Sequence, residues 1–263
     1  MLKIFPLFFV LVLFLSGCST TNPFKDVKLH SVADINPGLI KENFVNKMPD
    51  KLELINSVAF ECYWHSFYSL GYLKSDLIKN RFTLVALNPA GVRLFQLADN
   101  DGDIEYSCSI DELKKLKPFA HYIAGDIRNI YFNVIPSDNA IISKKESKIV
   151  FTEPWWDKIM PEPANLPNLD KKPQHKIEHI AYEDRGVYKI EYIFGGKNNN
   201  LLGKVLWKKR SWIWSFLLSD YYKVWSVDYY GYKNKNGKLY PINIYYKNHA
   251  LNYQLIIRLK EII

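Results

Sequence analysis

The string whose residue types and spacing match a catalytic pattern is His175-Lys176-Ile177-Glu178-His179. It fits H-x-x-E-H, in which a helix sets two imidazoles on one face to hold zinc and the neighbouring Glu acts as base. Its surroundings argue for a polar surface segment instead. Pro173 and Gln174 precede it, Ile180-Ala181-Tyr182 follows without an amphipathic period, and no downstream Glu stands in a third-ligand motif. The other histidines, His30, His65, His121 and His249, are dispersed, and Glu183-Asp184 reads as a solvated pair at a turn. The chain has no G-x-S-x-G, no phosphate-cradling glycine loop and no Cys-x-x-Cys. No catalytic residue, cofactor or metal is expected.

The three cysteines divide into one and two. Cys18 ends Leu15-Ser16-Gly17-Cys18, after Lys3 and an almost unbroken apolar run from Ile4 to Leu15. That pattern is a secretory signal, too short to span a bilayer. Its end resembles the lipobox of bacterial lipoproteins, in which the Cys is diacylated through sulfur and becomes the first residue after cleavage. The resemblance implies removal of residues 1–17 and a lipid anchor at Cys18. Ser19, rather than Asp, follows it, which by the rule of that family directs the protein to the outer membrane, facing the periplasm. Cys62 and Cys108 are then an even pair in an oxidising compartment, in the strand-like runs FECYWHSF and IEYSCSI. A disulfide across neighbouring strands and two half-buried thiols both fit, because sequence does not show whether the Cβ atoms face each other.

Removing 17 residues from 263 leaves 246, a length that suits one generous β domain. Residues 18–50 read as an acylated N-terminus and tether with little period. Residues 51–263 read as the folded domain, with a Pro-rich insertion around 153–174 that contains five prolines and Trp155-Trp156. LELINSVAFECYWHSFYSLGYL, RFTLVAL, VRLFQLA and DNDGDIEYSCSI predict four or five consecutive antiparallel strands. Between RFTLVAL and VRLFQL, Asn88-Pro89-Ala90-Gly91 predicts a hairpin turn, since Pro fixes φ and Gly accepts positive φ. Apolar spacing of three and four then predicts helix over 111–116 and 119–128, capped by Ser109 and broken at Pro118. Strands resume at VYKIEYIF, KVLWKKR, KVWSVDYYGYK, LYPINIYYK and LNYQLIIRL, with an Asn-Gly turn in KNKNGKLY.

The formal charge of +8 loses only Lys3 with the signal, and Lys and Arg are scattered except at Lys208-Lys209-Arg210. Such a balance favours anionic lipid headgroups and is only weak evidence for nucleic acid, a partner that the reading as a secreted lipoprotein argues against. Seven Trp, 18 Tyr and 15 Phe make a heavy aromatic load. Packing in a β core is its ordinary use, and an apolar cavity under a curved sheet is the alternative.

Two stretches carry a family resemblance. RFTLVALNPAGVRLFQLADNDGDIEY is similar to the strand pair joined by Asn-Pro-Leu-Gly in the LolA/LolB-like superfamily, especially the DUF3261 lipoproteins. VWSVDYYGYKNKNGKLYPINIYYKNHALNYQLIIRL resembles its closing hairpins, with a corner at Gly231-Tyr232 and Pro241 opening the next strand. The likeness covers roughly 51–136 and 187–262. It implies a mainly β (α+β) fold: an open, curved antiparallel sheet, or half-barrel, with capping helices over an apolar cavity for acyl chains. It also implies a monomeric carrier or acceptor of lipid or lipoprotein acyl chains, with a periplasmic carrier protein as partner. The family's exposed Leu in Asn-Pro-Leu-Gly helps push cargo into the bilayer, so Asn88, Pro89, Ala90 and Gly91 become the membrane- or cargo-facing loop. Ala90 in the Leu position buries less apolar area, a difference of about 2 kcal/mol. A scaffold lipoprotein that binds a protein partner is the second reading, and a metallohydrolase using HKIEH the third.

Overall fold

The computed structural model describes residues 22–32, 34–62, 65–109, 117–154, 188–210 and 219–263. Cys18, the His175–His179 string and most of the Pro-rich insertion lie outside them.

Alternating burial makes the strands. In β1 (Lys51–Cys62), Leu52, Leu54 and Asn56 are buried while the residues between them are half-buried. β2 (His65–Asp76), β3 (Arg81–Leu87), β4 (Arg93–Asn100) and β5 (Asp103–Cys108) follow as an antiparallel meander. The turn between β4 and β5 is Asp101-Gly102, both at positive φ, as a two-residue hairpin loop requires. Seven more strands follow α2 (Lys117–Tyr131). They are β6 (Ile141–Lys145), β7 (Lys148–Pro154), β8 (Tyr188–Gly195), β9 (Asn200–Lys209), β10 (Tyr221–Lys235), β11 (Lys238–Asn248) and β12 (Tyr253–Ile262).

All neighbours pair antiparallel, in the order β5-β4-β3-β2-β1-β12-β11-β10-β9-β8-β7-β6. The sheet is mainly β, open and curved: β5 and β6 are its two edges and do not pair with each other. Twelve twisted strands curl rather than lie flat. The first and last strands meet at the centre, with Leu54 opposite Ile262 and Cys62 opposite Tyr253.

This order forces the chain after β5 to travel from one edge of the sheet to the other before β6 can start. It does so across the concave face, as α2. Ala120, Ile123, Ala124, Ile127 and Ile130 recur at helical spacing and are buried against the main core. Pro118 stands in the first turn of this helix rather than breaking it, where a missing N–H leaves no intrahelical bond unmade. Residues 110–116 and the side chains of 117–119 are not described.

Residues 18–50 are not one tether. Pro37–Lys47 form α1, with Asn36 as N-cap accepting from the Gly38 N–H at 2.9 Å and Pro37 opening the helix. Phe44 meets Phe194 and Tyr232 edge-on at 5.4 and 6.2 Å. Lys238 Nζ donates to the carbonyls of Asn46 and Met48 at the helix end. Ahead of α1 the chain starts on the convex face, where Phe24 and Tyr230 pack on Ala59, Tyr245 and Ile256, and reaches the main core at Val32. Two further features depart from the sequence pattern. Ile141–Lys145 and Lys148–Pro154 form a hairpin where none was expected, and Pro241 sits inside β11, opposite Tyr232, rather than opening it.

Candidate functional site: a cavity beneath the strap helix

A row of small side chains crosses the centre of the first half-sheet. Asn56 of β1 lies opposite Gly71 of β2, and Gly71 opposite Ala86 of β3. Flanking rows are bulky, with Leu73 opposite Leu84 and Leu84 opposite Leu97. The small row leaves a floor that α2 does not fill. Ile123, Ile127 and Tyr131, four residues apart, form the roof. The result is a cavity of about 240 Å³, partly open to solvent, whose walls include Val58, Phe60, Phe67, Phe95, Leu255 and Ile257. Its polar groups are few: Asn56, Ser66, Ser69 and the Tyr131 hydroxyl, which accepts from Asn56 Nδ2 at 3.5 Å. An apolar chain is the ligand such walls accept. At Gly71 a Cβ would come within 3.4 Å of Val58 Cγ2 and 3.7 Å of Leu84 Cδ1, so a larger side chain there projects into the void.

The roof is tied down on both halves of the sheet. Arg128 Nε donates to Asp99 Oδ2 at 2.7 Å, and its Nη2 to Asp99 Oδ1 at 2.6 Å and to the Asn80 carbonyl at 3.1 Å. Its Nη1 donates to Asn80 Oδ1. The guanidinium lies over Phe82 and Phe132 at 5.8 and 5.4 Å. On the other half, Tyr229 of β10 donates to the Ile130 carbonyl at 2.6 Å. Lys204 of β9, fully buried, donates to the Phe132 and Asn133 carbonyls at 2.9 and 3.4 Å, where the helix ends. Burial pushes the Lys204 ammonium down to about 7. Asp126 accepts from Tyr253 of β12 at 2.6 Å, yet burial pushes its carboxyl up to about 7. A helix that is polar along this stripe and still buried needs these partners, because an unpaired buried charge costs several kcal/mol.

The Asn88–Gly91 turn is where the sequence put it. Gly91 has φ +82°, its N–H donates to the Asn88 carbonyl at 2.9 Å, and Asn88 Oδ1 accepts from the Val92 N–H at 2.9 Å. Pro89, Ala90, Gly91 and Val92 are exposed at the tip. Cys62 ends β1 and Cys108 ends β5, so β2, β3 and β4 lie between them; they are not on neighbouring strands, and no bond joins their sulfurs. Burial raises the Cys62 thiol. The structure does bring one pair together that the sequence left apart: Ser226 Oγ lies 3.0 Å from His249 Nε2. His249 is pushed down to about 4, by burial first and then by Lys223 and Lys247, and the described residues supply no third group that makes this pair a nucleophile. The described residues hold no cluster of metal-ligand type and no helix long and apolar enough to cross a membrane.

No family model matches the chain, and no curated protein matches it. Among solved structures, a LolA superfamily protein from Nitrosomonas europaea superposes with a TM-score of 0.50 at 8% identity, over 87% of this chain and 93% of that one. An outer-membrane lipoprotein-sorting protein domain from Vibrio parahaemolyticus scores 0.46 at 10% identity, over 86% and 90%. A DUF1329 family protein from Desulfovibrio piger scores 0.46 at 8% identity, over the same shares. The strand order, the open edges and the helix laid across the concave face are thus a LolA-like fold.

Proposed function

We propose that the protein is a lipoprotein of the bacterial envelope that takes an acyl chain of a lipid or lipoprotein into the cavity beneath α2, as a non-catalytic carrier or acceptor. The cavity is the observation that carries this reading. Its floor is made by Gly71 and Ala86 and its roof by three side chains of one helix, an arrangement with apolar volume and no reactive group. The LolA-like fold supports it, and the two strand-pair patterns resemble those of the DUF3261 lipoproteins. In this reading Cys18 carries the anchor at the outer membrane, and Asn88–Gly91 meets the membrane or the cargo. Asn22, whose side chain bonds Tyr230 on the convex face, is four Cα–Cα steps from Cys18, so the anchor attaches within about 14 Å of that face.

Size sets a condition. Ligand sites commonly occupy about 300–1,000 Å³, and about 240 Å³ takes part of one chain. A complete acyl chain therefore requires α2 to shift or the tail to leave by the open side. A scaffold is the second reading, favoured by the other half of the concavity, where Trp225, Tyr246, Tyr192 and Phe194 are buried in the core.

Mass spectrometry of lipid that co-purifies with the chain from residue 19 onward tests the proposal. That chain retains every described residue and has no acyl anchor of its own. An acyl-bearing ligand is expected, and Gly71→Leu should reduce its recovery several-fold at a folding cost of about 1–3 kcal/mol. Protein free of ligand, and unable to take up a fluorescent fatty acid, overturns the carrier in favour of the scaffold.

A further inference from the structure

The cationic run Lys208-Lys209-Arg210 does not stand alone in the fold. It ends β9, and antiparallel pairing sets it beside the starts of β8 and β10. Lys209 is opposite Tyr221, Lys208 is opposite both Tyr222 and Tyr188, and Trp207 lies between Lys189 and Lys223. The pairing interleaves cations with rings. Lys189 Nζ lies over Tyr221 at 4.6 Å and Trp207 at 5.7 Å, and Lys223 lies over the Trp207 ring at 5.5 Å. Lys208 lies over Tyr188 at 5.0 Å and the Arg210 guanidinium over Tyr222 at 5.1 Å.

Four cations on four aromatic rings at one rim, with Lys209 beside them, are more than packing needs. Among the described residues the acids at hand are Glu191, which pairs with Lys189 at 3.1 Å, Glu153 on the neighbouring strand, whose carboxylate accepts from the Ser137 N–H, and Asp220, whose carbonyl accepts from the Arg210 N–H. Among the described residues the balance of the rim is positive, and Lys209 and Lys223 are exposed. His249, half-buried nearby, registers the same field, since Lys223 and Lys247 both disfavour its charged form. Trp and Tyr seated at headgroup depth, with Lys and Arg reaching outward from them, is the side-chain chemistry of a membrane interface.

We infer that the β8–β9–β10 rim is a docking surface for an anionic lipid bilayer, with Lys209, Arg210 and Lys223 facing lipid phosphates and Trp207, Tyr221 and Tyr222 at the level of the headgroups. Two further observations orient it. This rim is the end of the sheet at which β3 turns into β4, so the Asn88–Gly91 tip points the same way. Lys189, Trp207, Lys209 and Lys223 alternate onto the convex face, where Phe24 also lies. The docking surface does not depend on the cavity, and it holds whatever the cavity binds.

The test uses the chain from residue 19 onward and sedimentation with vesicles of phosphatidylcholine, with or without phosphatidylglycerol. Binding is expected only where phosphatidylglycerol is present, and should fall as salt is raised. Each cation near such a surface contributes about 1 kcal/mol. Lys209→Gln, Arg210→Gln and Lys223→Gln together should therefore weaken partitioning on the order of a hundredfold. A control of equal charge, Lys79→Gln, Lys145→Gln and Lys197→Gln, changes exposed lysines at the opposite end of the strands and should leave binding within a few-fold. Equal loss in both triples shows that net charge, not this rim, drives binding, and equal binding to pure phosphatidylcholine also overturns the inference. Fatty-acid uptake by the rim triple should stay unchanged, which separates failure of the rim from failure of the carrier reading.

Discussion

The bond between Arg128 and Asp99 offers the sharpest test of how α2 is held. Both side chains are nearly inaccessible, with side-chain exposure of 7% and 1%, and they meet in a forked geometry at 2.6 and 2.7 Å. Removing one partner of a buried pair leaves the other charged and uncompensated, a cost of about 3–5 kcal/mol. Arg128→Met keeps much of the volume between Phe82 and Phe132 but strands the carboxylate, which still accepts from the Gly102 N–H at 2.8 Å. Asp99→Asn strands the guanidinium and keeps the shape of its acceptor. Each single variant should lose about 3–5 kcal/mol in urea unfolding, or about 6–20 °C in Tm for a chain of this size. The double variant, which buries no lone charge of the pair, should cost clearly less than the two singles together. Because the bond fixes the roof to β4, Arg128→Met should also speed fatty-acid entry while the protein remains folded. Single losses below about 1 kcal/mol, or strict additivity in the double variant, would refute the view that this pair fastens the helix.

Two other outcomes follow from described residues. Asp126 titrates near 7 in the folded chain against 3.8 ordinarily, so the folded state holds the extra proton between those values. Its contribution is fully present below about 4 and is lost as pH rises through 7; urea unfolding across that range should show the decline, and Asp126→Asn, which keeps an acceptor for Tyr253, should flatten it. At the exposed tip, Ala90→Leu adds apolar area worth about 2 kcal/mol, roughly thirtyfold in partitioning; transfer of an acylated cargo into vesicles should increase, and no gain would leave Asn88–Gly91 as a turn alone.

The strands were readable because a two-residue period and Asp-Gly or Asn-Gly turns act locally. Asp101-Gly102 and Asn236-Gly237 sit in the two-residue loops that those dipeptides favour. The first helix carried its start signal in Asn36-Pro37, but only Ile40 and Phe44 bury, too few to set a period. The β6–β7 hairpin was hidden for a related reason: it turns at Glu146-Ser147 without Gly or Asn, and β6 is exposed along its whole length. Pro241 fits mid-strand because its neighbour strand is irregular there, with Gly231 at φ +81°. The cavity left no local mark. Gly71 and Ala86 look like ordinary strand residues until pairing aligns them with Asn56, and the roof comes from a helix whose position depends on the order of all twelve strands. Ser226 and His249 were likewise invisible as a pair, since only the β10–β11 pairing brings them together.

The central seam between β1 and β12 also bears on how the molecule is made. β1–β5 is a run of neighbouring hairpins whose contacts are short in sequence and can form early; β6–β12 also pairs only strands consecutive in the chain, but must first close the long connection between β7 and β8. Joining Leu54 to Ile262 closes nearly the longest loop the chain permits, and must wait until β12 has been synthesised. Until then β1 offers a long bare edge with alternating Leu, Val and Phe, the kind of template that invites pairing with other chains. Folding of this protein should accordingly depend on holdase chaperones, and loss of β12 should lead to aggregation rather than to a smaller folded sheet.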